Sequence, residues 1–82
     1  MTATTAIFQA YTLLEDAAEL VNGGDDVIRT HSTRVLHMVA RGRTDDAAEI
    51  VHDLADELED AAEGTDAQER VIAAVRDARA AI

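Results

Sequence analysis

The sequence predicts an all-α fold: four short helices forming a single helical domain, residues 1–82, arranged as an antiparallel bundle or as an open array completed by oligomerisation. Three observations carry that expectation. Apolar residues recur at spacings of three and four, the rhythm of one helix face. Asn22-Gly23-Gly24, Gly42 and Gly64 interrupt the rhythm where left-handed helix ends are needed. Cap-forming Asp or Thr follows each interruption.

The first helix is expected at about residues 5–21. Ile7, Tyr11, Leu14, Ala18 and Val21 make one face, and Ala10, Leu13, Ala17 and Leu20 widen it to nearly half the circumference. A helix apolar over so wide an arc touches two neighbours or a partner chain. The second helix is expected at about 26–41, capped by Asp25 or Asp26, with Ile28, Ser32, Val35 and Val39 as its seam and Leu36 and Met38 alongside. Thr44 is expected to cap the third, about 44–63, with Asp45 and Asp46 in the first turn, where the helix dipole favours negative charge. Its seam is Ala47, Val51, Leu54, Leu58 and Ala61, with Ile50 beside it. Thr65-Asp66-Ala67-Gln68 matches a capping box and opens the fourth, about 65–82, whose seam is Val71, Val75, Ala78 and Ile82, with Ile72 alongside. Connections of two to four residues predict antiparallel neighbours.

Composition bounds what such a domain can do. The chain has 82 residues and a net charge of −10 from seventeen acids and seven arginines, with no lysine. Carboxylates hold water and ions at a surface, whereas lysine adds a partly apolar stem. The balance resembles that of halophilic proteins and leads us to expect adaptation to molar salt, where self-repulsion is screened within roughly 3 Å. The hydrophobic share is 48%, which excludes a disordered acidic tail. Seventeen of those residues are alanine and only about twenty are large, a thin core for a lone monomer. Self-association into a dimer or larger, or a protein partner, would add burial without adding chain. With no cysteine there is neither a disulfide framework nor a thiolate metal site. No apolar run approaches the roughly 20 residues of a membrane span, and the N-terminus lacks the charged and apolar regions of a signal peptide. A cytoplasmic protein without contact to membranes is therefore expected.

One segment departs from the acidic background. Residues 27–43 hold Arg29, Arg34, Arg41 and Arg43 and no acid, so this stretch is +4 and the rest of the chain −14. Thr30, Arg34, His37 and Arg41 project together, opposite the apolar seam. Guanidinium groups grip phosphate or carboxylate bidentately, so Arg29, Arg34, His37 and Arg41 could take an anion or a nucleic-acid backbone. The plainer reading is a row of counter-charges for Glu49, Asp53, Asp56 and Asp60 of the third helix. Nucleic acid is disfavoured: phosphate affinity falls steeply with salt, and one Phe, one Tyr and no Trp offer little for base stacking.

Glu49 and His52 have the Glu-x-x-His spacing of di-iron bundles. A helical wheel puts both opposite Val51, Leu54 and Leu58, among Asp53, Asp56 and Glu63, so a solvated acidic face is the expectation and metal the alternative. His31 is expected at the edge of the second helix's apolar arc, with one ring nitrogen hydrogen-bonded. Ser32 and the threonines sit in no nucleophile elbow and beside no visible base relay. Gly23-Gly24 runs into Asp25-Asp26, whose charge would repel a phosphate. No catalytic residue and no cofactor is implied, and a non-enzyme acting by association is the expectation.

From Val27 to Asp60 the chain resembles part of the translin family, through Ile28-Arg29, the helix end Arg41-Gly42 and the following Asp45-Asp46-Ala47-Ala48-Glu49. The resemblance covers 34 of the 82 residues. It implies an all-helical, ring-forming protein that binds single-stranded RNA and DNA, with Arg29, Arg34 and Arg41 facing phosphate. Translins are more than twice as long, and their remaining helices have no counterpart in this sequence.

Overall fold

The computed structural model describes residues 2–82. It holds four helices: α1 (Ala3–Ala18), α2 (Gly24–Ala40), α3 (Thr44–Ala62) and α4 (Gln68–Ala81). There is no strand among the described residues. The all-α bundle stands as read from the sequence.

The ends explain the small differences. Thr2 caps α1, its hydroxyl oxygen accepting from the Thr5 N–H at 3.1 Å, so the helix begins earlier than the apolar rhythm does. Glu19 to Gly23 form the first turn rather than the helix end. Gly42 closes α2 at φ 74°, with the Gly42 N–H on the Val39 carbonyl (3.0 Å) and the Arg43 N–H on the Met38 carbonyl (2.9 Å). That pair of bonds is the Schellman arrangement, which only a left-handed residue permits.

Three expected caps do not form: Gly23 precedes α2 without a side-chain cap, and Asp25 and Asp26 lie inside its first turn. Thr44 is the first residue of α3, and Arg43 precedes it without a side-chain cap. Arg43 instead binds Asp46 at 2.5 Å, tying the turn to the negative first turn of α3. Thr65 is not the start of α4: its hydroxyl donates back to the Ala62 carbonyl at 2.6 Å, a local bond that competes with capping. The Gln68 side chain accepts from the Gly64 N–H at 3.2 Å, and α4 begins only at Gln68. The connections are accordingly five, three and five residues long.

α2 packs chiefly on α3, and α4 chiefly on α1. α1 and α3 also touch across the bundle, whereas α2 and α4 do not. The cross-section is therefore a rhomb with α1–α3 as its short diagonal, and the backbone measures 37 × 23 × 15 Å. Small side chains fill much of the core on these two helices: Ala10, Ala17 and Ala18 of α1 and Ala47, Ala55 and Ala62 of α3 are all buried. The larger core residues are Ile7, Leu14, Val21, Val35, Ile50, Val51, Leu54, Leu58, Val71 and Val75. α1 thus runs down the middle of one broad side, flanked by α2 and α4.

The seam of α2 is rotated from the sequence reading. Gly24, His31 and Val35 are buried, while Ile28, Ser32 and Val39 are only half-buried and Leu36 is 56% exposed. Gly24 is the cause. A Cβ there would stand 2.1 Å from the Ala18 carbonyl oxygen, so a bare backbone lets α2 seat directly on the end of α1. In α3 the buried terminal alanine is Ala62, and Ala61 faces solvent. In α4 only Val71, Val75 and Ala78 are buried, whereas Ile72 and, just past the helix end, Ile82 are exposed.

Candidate functional site: the outer face of α1 and the arginine ridge of α2

The buried row of α1 is Ile7, Ala10, Leu14, Ala17 and Ala18. Its flanks carry Phe8 (38% exposed) on the α2 side and half-buried Leu13 on the α4 side, and Leu20 (43% exposed) follows in the turn just past the helix end. Three shallow grooves meet these flanks. Phe8, Gln9, Leu13 and Ala81 line one of about 570 Å³ against α4. Leu13, Ala17 and Leu20 continue it along α4 past Arg70, Ala73, Ala74 and Asp77. Phe8, Tyr11, Val35 and Leu36 form the third, between α1 and α2. Of the residues expected at an interface, Leu13 borders both α4 grooves and Leu20 stands out as a knob. Ala17, 4% exposed, lies in the bundle's own core and offers only floor to the groove.

Sequence reasoning misses Phe8 and misplaces Leu36. Phe8 falls off the 7-11-14-18-21 row; its signal is that α1 carries the chain's sole phenylalanine outside its own seam. Leu36 flanks the seam on a helical wheel, and the rotation of α2 carries it outward.

Tyr11 sits in the α1–α2 groove with Glu15 and Ser32. Burial raises the phenol above its ordinary value of 10.0, the Ser32 hydroxyl offsets part of this, and the Glu15 charge adds to it. Ser32 itself bonds within its helix, its hydroxyl donating to the Arg29 carbonyl at 3.3 Å. It is no nucleophile held by a base.

Arg34, His37 and Arg41 all lie exposed on the outer side of α2. The counter-charge arrangement with α3 does not form. Arg29 pairs with Asp26 of its own helix at 3.2 Å, Arg43 with Asp46, and Asp56 of α3 with Arg79 of α4. Among the described residues no carboxylate lies within ion-pair distance of Arg34 or Arg41. The rotation of α2 explains this, since α3 is met by the His31 side and the arginine ridge is turned to solvent.

His31 is not a boundary residue. It is 4% exposed, with Nε2 3.2 Å from Glu57 Oε2 of α3. The approach is close but badly angled, and neither ring nitrogen makes a hydrogen bond among the described residues. Glu49 and His52 lie exposed on α3. Among the described residues no three His, Cys, Asp or Glu side chains converge on a point where a metal ion could sit. No described helix is long and apolar enough to cross a membrane.

Two features remain that can do something chemically: an uncovered apolar groove system centred on α1, and an unpaired basic ridge on α2. Comparison with protein-family models, with curated proteins and with solved structures finds no match to this chain.

Proposed function

We propose that this chain acts by association, assembling with copies of itself or with a protein partner through the outer face of α1, without catalysis of its own. The observation that carries the reading is that both flanks of α1 keep uncovered apolar side chains, Phe8 toward α2 and Leu13 toward α4 with Leu20 just past the helix end, while the inward row of the helix already fills the core. Single exposed apolar residues are ordinary. Apolar side chains that border grooves against both neighbouring helices are the anatomy of an association surface. The acidic, lysine-free surface suits such a protein to molar salt and to the cytoplasm. Sedimentation in molar salt is expected to give a dimer or larger. Leu20→Glu, which alters an exposed side chain and leaves the core intact, is expected to shift it to monomer with helicity unchanged. A parent protein that sediments as a clean monomer would overturn the reading.

A second reading has its own support. Arg34 and Arg41, with His37 between them, have no carboxylate partner among the described residues, in a chain of net charge −10. Unpaired guanidinium groups on one helix face are suited to a phosphate-bearing anion. This is also what the resemblance to translins implies for these residues.

A further inference from the structure

The α1–α4 groove carries more than apolar surface. Its rim holds one cation and two anions: Arg70 and Asp77 on α4, and Asp16 on α1. All three are exposed, and Arg70 forms no ion pair with either acid within its own chain. The same groove presents a knob and a hole, since Leu20 projects while Ala17, Ala73 and Ala74 leave a shallow floor. A surface that holds both halves of an ion pair and both halves of a packing contact is self-complementary, as a two-fold interface requires.

We infer that the occupant of this groove is a second copy of the chain, related by a two-fold axis that sets Arg70 of each copy against Asp16 and Asp77 of the other, and that salt switches the pairing on. The proposal rests on the association reading above and adds its partner, its geometry and its regulation. Area permits it. The broad side that α1 bisects measures 37 × 23 Å in backbone alone, so a pairing centred on the α1–α4 groove that also extends over α1 has room to reach the roughly 800 Å² per partner of a standard interface. Charge sets the condition: two copies, each at −10, repel over a distance that dilute salt does not screen. The rim ion pairs act at contact, where screening is weaker, so added salt removes more repulsion than attraction. The association constant is therefore expected to rise at least roughly tenfold between about 0.1 M and about 1 M salt.

A charge-swap pair tests the geometry. Arg70→Glu leaves the rim wholly acidic, and Asp16→Arg with Asp77→Arg leaves it wholly basic. Neither variant is expected to self-associate at a salt concentration where the parent dimerises, and their equimolar mixture is expected to form a heterodimer by sedimentation. The basic variant sharpens the test: at net −6 it repels itself less than the parent, so net charge alone would make it dimerise better. Self-association of both variants with no preference for the mixture overturns the two-fold arrangement. Parent dimers that weaken or stay constant as salt rises overturn the switch but leave the association reading standing. Monomers at every salt concentration overturn both.

Discussion

Gly24→Ala is the change that most sharply tests how α2 is seated, and hence where its ridge and grooves point. On an open helix it would stabilise, because alanine is favoured over glycine by up to about 1 kcal/mol. In this bundle the new methyl would stand 2.1 Å from the Ala18 carbonyl oxygen and 2.8 Å from the carbonyl carbon. Both are backbone atoms at the end of α1 and cannot swing aside. Restoring an ordinary contact requires the helix ends to part by about 1 Å, and overpacking of this kind costs about 1–3 kcal/mol. An 82-residue domain has roughly 4–12 kcal/mol of stability in all. The midpoint of thermal unfolding is then expected to fall by about 5–20 °C, read by circular dichroism at fixed salt. Gly42 supplies the control. It has φ +74°, and a methyl there would meet no atom within 4 Å, so Gly42→Ala costs only left-handed strain, about 1–2 kcal/mol. Asparagine tolerates that conformation, so Gly42→Asn is expected to recover part of the loss while Gly24→Asn is expected to be worse than Gly24→Ala. A Gly24→Ala protein as stable as the parent would refute the seating of α2 on α1.

Tyr11, the only tyrosine in a chain without tryptophan, gives an unobstructed optical signal. Its phenol is raised above 10.0 by burial, so the folded protein holds that proton more tightly than the unfolded chain. The resulting stability is complete below pH 10 and is lost as pH climbs from 10 toward the folded value. Phenolate absorbance is expected to rise above pH 10 in the folded protein and near 10 in denaturant; equal midpoints would remove Tyr11 from the groove. For the α2 ridge, Arg34→Gln with Arg41→Gln is expected to abolish retention on a phosphate-bearing resin at low salt while leaving helicity unchanged. Retention equal to the parent's would rule the ridge out as an anion site.

Much of the fold is legible because helix rhythm and glycine punctuation agree. Gly42 shows this best: a single residue marks the end of α2, and the backbone there closes as that residue demands. What cannot be read is rotation. Gly24 has no side chain to register on a helical wheel, yet its bareness sets the face of α2. A buried histidine also argues against itself in any apolar count, so Ser32 takes the place on paper that His31 holds in the bundle. Ala61 and Ala62 are chemically identical neighbours, and only the packing of α3 chooses between them. Thr65 and Gln68 have the right spacing for a capping box, but a hydroxyl can donate backward as readily as it can accept forward. For the candidate site, Leu13 and Leu20 follow from the width of α1's apolar arc. The missing pairs between the arginine ridge and α3 do not, because they depend on the rotation that the sequence hides.

In the proposed dimer, association is set by shape and charge together. Two copies of net charge −10 with centres about 24 Å apart, twice the 11.9 Å radius of gyration, repel by about 17 kcal/mol in unscreened water. Allowing for their size and the shortening Debye length, this falls to about 4 kcal/mol at 0.1 M salt and under about 1 kcal/mol at 1 M. The relief of about 3 kcal/mol is an upper limit on what salt can contribute to pairing, because it also weakens the Arg70 contacts. Sedimentation equilibrium of the parent chain across that range is the most direct measurement. Monomer is expected to give way to dimer as salt rises, with helicity followed alongside; a folded protein that stays monomeric at 1 M, or a dimer that dissociates as salt is added, would contradict the proposed pairing.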